Sequence, residues 1–251
     1  MRWNLSPKAT RNQQRLRMAT IDLKNFKNKK VLVIFPHPDD ETVMAGGLIQ
    51  RLLSFSAKVA VVCLTAGDQG KIHVHGRGQS LGQIRRGEFI SAVKRLDVEN
   101  YEIFNFPDGK LKDSPVWKPV VREYINHYDL VVSYDPSGVT GHPDHIALSL
   151  FLMKVAKETG GKLLLVAPAG IIRSKFLDPR VLPFATTPQL LVHLSLGERL
   201  RKWWAFNGYP SQYDRRTRLF ALLLSLKPQL EGFAQFNSKK KYPHRYVNFE
   251  F

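Results

Sequence analysis

The stretch Val31-Leu32-Val33-Ile34-Phe35-Pro36-His37-Pro38-Asp39-Asp40-Glu41-Thr42-Val43-Met44-Ala45-Gly46-Gly47 decides the fold. Its first five residues are apolar and mostly β-branched, the pattern of a short buried strand. Pro36 and Pro38 stop that strand, because neither can donate to a ladder. Asp39 and Asp40 follow, where carboxylates cap a helix and meet the positive end of its dipole. A helix from about Glu41 to Leu53 is therefore predicted. His37, Asp39 and Asp40 then occupy a turn at the carboxyl end of a buried strand, the edge at which open α/β sheets keep their ligands.

The spacing within that turn has chemical content. His37 and Asp40 are three residues apart, so an imidazole nitrogen and a carboxylate oxygen can converge on one cation. Such a mixed pair suits zinc or a similar divalent metal. Asp39 points elsewhere and is free to act on a bound water. A purely structural reading stands beside this one: either aspartate is only a helix cap, and His37 only a turn residue. A second stretch repeats the pattern. Tyr128 to Tyr134 reads as another buried strand, followed by a Pro- and Gly-rich loop ending in Gly141-His142-Pro143-Asp144-His145 and a helix over 146–157. In a parallel sheet both loops emerge on one edge. Three ligands from two such loops leave a coordination position open, as in catalytic rather than structural zinc sites.

Pro36-His37-Pro38-Asp39-Asp40-Glu41 together with Gly141-His142-Pro143-Asp144-His145 resembles the paired signature of the PIG-L / LmbE-like family of zinc-dependent de-N-acetylases. These enzymes remove acetyl groups from N-acetylglucosamine in glycolipids and small glycosides. The resemblance runs from about Asn28 to Gln212. It implies a Rossmann-like (LmbE-like) three-layer α/β/α fold with a mainly parallel sheet, and Zn2+ or another divalent cation as cofactor. By the same resemblance His37, Asp40 and His145 are the metal ligands and Asp39 is the general base. His142 stabilises the oxyanion or donates a proton, and Asp144 orients a histidine. The expected substrate is a small molecule or glycoconjugate bearing N-acetylglucosamine, cleaved to a free amine and acetate.

Three further residues are assigned to substrate by the resemblance. In a helix over 83–96, Arg86 best fits a position facing the substrate's polar groups, with Arg85 as the alternate; a solvated helix face is the competing reading. Asp108, in the turn Pro107-Asp108-Gly109, matches a loop near the sugar, although a turn-forming role explains it equally. Lys202 lies in a helix over 197–206 that leads to Ser211-Gln212, similar to a late family segment. His73 and His75 alternate like metal ligands, but the family pattern does not use them.

The 251 residues suffice for one large α/β domain, with a basic arm or extra helix over 1–27. Strands are read at 31–35, 58–65, 101–106, 128–134 and 162–167, mostly alternating with helices. That order argues for a parallel sheet covered on both faces. A helix over 114–126, an edge strand over 189–196 and a helix over 217–236 broken at Pro228 complete the reading. Leu219 to Leu226 with the Trp203-Trp204 pair is read as core in preference to an interfacial patch. Cys63 lies inside an apolar strand, which fits a reducing compartment. With no apolar leader and no run near the ~20 residues of a spanning helix, a cytoplasmic protein is expected.

Lys and Arg number 38 against 21 Asp and Glu, a net charge of +17. A generally basic surface explains this slightly better than a specific partner. Nucleic acid is disfavoured as a partner, while peripheral contact with an anionic membrane and homo-oligomerisation both stay open. Two rival functions remain: a basic binding domain whose His/Asp loops are only turns, and a metal-dependent hydrolase of another amide or ester. No Gly-x-Gly-x-x-Gly follows the first strand, which disfavours a nucleotide-cofactor oxidoreductase.

Overall fold

The computed structural model describes residues 21–70, 72–73 and 78–243. The elements run β1 (Lys30–Phe35), α1 (Asp40–Ser54), β2 (Lys58–Cys63), α2 (Leu81–Arg95), β3 (Asn100–Ile103), α3 (Trp117–Ile125) and β4 (Leu130–Tyr134). After them come a short turn α4 (Gly138–Gly141), α5 (Pro143–Thr159), β5 (Leu163–Val166), β6 (Leu190–Leu194), α6 (Leu196–Phe206), α7 (Arg215–Ser225) and β7 (Gln229–Gln235). The strands form one sheet in the order β3-β2-β1-β4-β5-β7-β6. The first five are parallel, as the alternation of strand and helix predicts, and β7 runs antiparallel to both β5 and β6.

The sheet is covered on both faces, and side-chain alternation along β1 sorts the two cores. Val31, Val33 and Phe35 pack on Leu48, Ile49 and Leu52 of α1 and Phe89 and Val93 of α2. Leu32 and Ile34 face the other way, toward Trp117 and Val121 of α3 and Leu148, Phe151 and Leu152 of α5. From β1 the chain goes outward to β2 and β3, then returns to place β4 on the opposite flank of β1. The loops after β1 and β4 therefore diverge to opposite sides of the sheet, which opens a crevice between them at its carboxyl edge.

Several boundaries depart from expectation. Residues 229–235 are not helical: Pro228 ends α7, and the following segment becomes a strand inserted between β5 and β6. α3 begins at Trp117 rather than 114, since Lys110–Ser114 forms turns and the Trp117 indole reaches back to the Leu111 carbonyl (2.8 Å). α5 begins three residues earlier than expected, with His142 as its N-cap and Pro143 in its first turn. Of the expected basic N-terminal segment, residues 1–20 lie outside the described part, as do Lys71, His75 and Arg77; within it, Leu23–Phe26 forms a 3-10 turn capped by Asp22. Among the described residues no helix is long and apolar enough to cross a membrane.

Lys202 is a correction of a different kind. Its ammonium, assigned to substrate by the resemblance, is engaged inside the fold: it donates to the Val43 carbonyl (2.8 Å) and to buried Glu231 of β7 (2.6 Å). Glu231 also accepts from the Gly47 and Leu48 amides at 2.8 Å each. One carboxylate thus ties α1, α6 and β7 together. Replacing Glu231 with Ala strands an ammonium and two backbone donors, so the unfolding free energy should fall by about 3–5 kcal/mol in urea titrations.

Candidate functional site

The turn after β1 and the loop after β4 meet at the crevice. Three donor atoms converge there: His37 Nδ1, His145 Nε2 and Asp40 Oδ2. The two imidazole nitrogens are 3.1 Å apart and each lies 3.5 Å from the carboxylate oxygen. The point equidistant from all three is about 2 Å from each, the bond length from imidazole nitrogen or carboxylate oxygen to a small divalent cation.

The hydrogen bonds behind these atoms select the right tautomers. His145 Nδ1 donates to the Gly138 carbonyl (2.9 Å), which leaves the Nε2 lone pair facing the crevice. His37 Nε2 sits 3.0 Å from Asp108 and 3.3 Å from Asp144, so one ring proton faces carboxylates and Nδ1 is the nitrogen turned toward the crevice. Asp144 also accepts from the Gly109 and Leu111 amides (2.8 and 3.0 Å), locking the Pro107-Asp108-Gly109 turn against His37. The Tyr134 hydroxyl donates to the second oxygen of Asp40 (2.6 Å), and its ring stacks on His145 with centroids 4.1 Å apart.

The charges follow from this packing. Burial lowers the His37 pKa, but the Asp108, Asp144 and Asp40 carboxylates outweigh it and raise the imidazole well above its ordinary value. Burial pushes Asp40 up, yet His145, His37 and the Tyr134 hydroxyl hold it ionised. Burial lowers His145 to about 4, a neutral ring suited to ligation. The protonated His37 ring supplies one compensating charge among these carboxylates; a divalent cation would take the place of its Nδ1 proton, and the oxygen and nitrogen donors suit such a cation.

Asp39 has another environment. Its backbone takes φ +100°, the left-handed region that a non-glycine residue rarely adopts, and its amide donates to buried Glu41 (3.1 Å). Glu41 is held in turn by the Tyr209 hydroxyl (2.6 Å). The Asp39 carboxylate accepts from the Tyr213 hydroxyl (2.9 Å) and lies 3.6 Å from the Arg85 guanidinium. Burial raises Asp39 to about 7, with Asp40 and Glu41 adding to the rise while Arg85 and Tyr213 oppose it. A carboxylate poised there suits proton transfer near neutral pH.

His142 stands beside the cluster, its ring centroid 4.7 Å from that of His37 and 5.0 Å from that of His145. Its Nδ1 accepts the Asp144 amide (3.2 Å), so the proton of the neutral ring is on Nε2.

The structure thus brings together His37, Asp39, Asp40, Asp108, His142, Asp144 and His145. Arg86 and Lys202 are elsewhere. Arg86 reaches the Ile103 carbonyl and the Asn105 side chain at the end of β3. The alternate, Arg85, lies at the site: it donates to the Gly67 and Pro38 carbonyls (2.7 and 2.5 Å) and pins the Pro-His-Pro turn to the neighbouring glycine-rich turn. Gly67 has φ +67°, and a Cβ there would fall 2.3 Å from that guanidinium. His73 is exposed, its amide bonded to the Ser211 carbonyl. Sequence reasoning missed Tyr134, Tyr209, Tyr213 and the inward Glu41. Tyr134 carried a signal, as the last residue of a strand beside β1; the tyrosines after α6 carried none.

Comparison with known proteins places the chain among relatives. Residues 32–156 match the family model PIG-L, described as GlcNAc-PI de-N-acetylase. A 1D-myo-inositol 2-acetamido-2-deoxy-alpha-D-glucopyranoside deacetylase of Streptomyces avermitilis is 28% identical over 163 residues, covering 54% of this chain and 55% of that protein. A probable N-acetylglucosaminyl-phosphatidylinositol de-N-acetylase of Schizosaccharomyces pombe is 28% identical over 141 residues, 52% and 53% of the two chains. The chain therefore spans about half the length of the curated relatives it matches. The solved N,N'-diacetylchitobiose deacetylase of Pyrococcus horikoshii superposes with a TM-score of 0.67 at 20% identity, over 90% of this chain and 91% of that one. At that identity the likeness speaks for the fold alone.

The donor geometry has a direct readout. The purified protein should carry one equivalent of divalent cation by elemental analysis, and His145→Ala should lose it while Asp39→Asn keeps it. Tyr134→Phe should weaken cation affinity about 10–100-fold in chelator competition, since it releases one oxygen of Asp40.

Proposed function

This chain belongs to the PIG-L family of de-N-acetylases, and on that premise we propose that it hydrolyses the acetamide of an N-acetylglucosamine-bearing substrate to a free amine and acetate, with zinc as its metal. The observation that carries the proposal is the convergence of His37, Asp40 and His145 from two loops 108 residues apart, with Asp39 and His142 beside them. The names of the two relatives share a 2-acetamido sugar attached to inositol, which supports that substrate class.

Zinc held by His37, Asp40 and His145 would supply an acidified water and polarise the amide carbonyl. Asp39 is the general base. Its backbone strain and its bonds to Tyr213 and Arg85 fix the carboxylate, and its pKa of about 7 lets it accept a proton at neutral pH. His142 presents Nε2–H to the oxygen that gains charge in the tetrahedral state. The proton taken by Asp39 returns to the nitrogen, which leaves as the amine. With a metal bound, Asp108 and Asp144 would hold the His37 proton on Nε2 and leave Nδ1 to the metal.

Acetate release from N-acetylglucosaminyl-inositol and from free N-acetylglucosamine should be abolished by chelation and restored by zinc. Asp39→Asn should lower kcat about 10²–10⁴-fold with the metal retained. Retention of the metal with no acetate from any such sugar would point instead to another amide or ester. The pH profile supplies a second check. The base must be ionised, so activity falls as pH drops through its pKa. Arg85 lowers that pKa; Arg85→Met should therefore move the acid limb to higher pH.

A further inference from the structure

The helix α7 presents an apolar stripe to solvent. Leu219, Phe220, Leu223 and Leu226 are 58%, 59%, 55% and 57% exposed, at spacings that put them on one helix face. The opposite side packs on α6, where the Trp203 indole donates to the Arg218 carbonyl (3.0 Å) and Ser225 is buried. The expectation of a core helix is thus overturned: Leu219, Leu223 and Leu226 face out, while Leu222 and Leu224 are half-buried. A contiguous apolar face of this kind on a soluble surface marks an interaction site.

Charge identifies the partner. Exposed Arg215 and Arg216 stand at one end of the stripe and exposed Lys227 just beyond the other. From Ser195 to Lys227 there are seven Lys and Arg but only Glu198 and Asp214 as acids. Both acids are engaged: Glu198 pairs with Arg51 at 2.8 Å, and Asp214 caps α7. Cations at both ends of an outward apolar stripe are the pattern of a helix lying in the interface of an anionic bilayer. A second copy of this chain fits less well, because two such helices packed against each other would bring Arg215 and Arg216 onto Lys227 or onto themselves, in a molecule already at +17. We propose that α7 docks this protein peripherally on an anionic membrane surface, with Leu219, Phe220, Leu223 and Leu226 in the acyl boundary and Arg215, Arg216 and Lys227 at the lipid headgroups.

The helix starts two residues after Tyr213, whose hydroxyl holds Asp39, so the same segment carries both a support of the crevice and the docked face. The inference does not depend on the reaction, and its test is separate from acetate release. The full chain should co-sediment with vesicles of phosphatidylcholine mixed with phosphatidylglycerol, and only weakly with phosphatidylcholine alone. Phe220→Glu with Leu223→Glu should lower the bound fraction about tenfold or more, and Arg215→Gln with Arg216→Gln should flatten its fall with salt. Val120→Glu, on the exposed side of α3, should leave binding unchanged, and cation content should be unaltered in every variant. The inference is overturned if the wild-type chain ignores the anionic vesicles or if the α7 variants bind as the parent does. It is equally overturned if sedimentation shows an oligomer that Phe220→Glu with Leu223→Glu separates, because the stripe would then be a contact between copies.

Discussion

The parallel pairing of β1 with β4 is the constraint on which the rest of the molecule depends. Val31, Leu32 and Val33 lie opposite Leu130, Val131 and Val132, so strands nearly a hundred residues apart end at one edge. Both are buried on both faces, and a one-residue slip would turn Val33 and Phe35 out of one core and into the other. Because that register is set by packing, the separation of His37 and His145 is set by packing too. The donor cluster needs no long-range attraction to assemble; the hydrophobic cores deliver it.

What the cores deliver would be unstable if left bare. Asp40, Asp108 and Asp144 crowd one imidazole in a buried crevice, with Asp39 and Glu41 close by. The chain distributes that charge over neutral donors: Tyr134 on Asp40, Tyr209 on Glu41, Tyr213 on Asp39, and the Gly109 and Leu111 amides on Asp144. Arg85 is the fixed cation beside them. Such a network satisfies every carboxylate yet leaves three donor atoms facing one point, the condition for gripping a cation rather than collapsing into ion pairs.

The far end of the sheet follows a different logic. β7 enters between β5 and β6 against the direction of the first five strands, and Glu231 fastens α1 and α6 to it. Its role is architectural, and it fixes the segment that carries Tyr209, Tyr213 and then α7. The same segment thus supports the crevice from behind and turns a leucine-rich face outward.

The sequence by itself determined the parallel α/β order and the strand-to-turn placement of His37, Asp39 and Asp40 and of His142, Asp144 and His145, whereas the meeting of the two turns rests on the β1/β4 pairing. The order and the placements follow from local rules, because β-branched runs, prolines and capping carboxylates act within a few residues. Only the tertiary structure decided that Arg85 and not Arg86 reaches Asp39, that Lys202 serves Glu231, that Asp108 leans on His37, and that residues 229–235 form a strand. Adjacent residues on a helix point about 100° apart, so a choice between Arg85 and Arg86 depends on how the whole helix is rotated against the sheet. The same holds for α7: a periodic apolar stripe states that one face is greasy, and only the neighbours that occupy the other side reveal which way it looks.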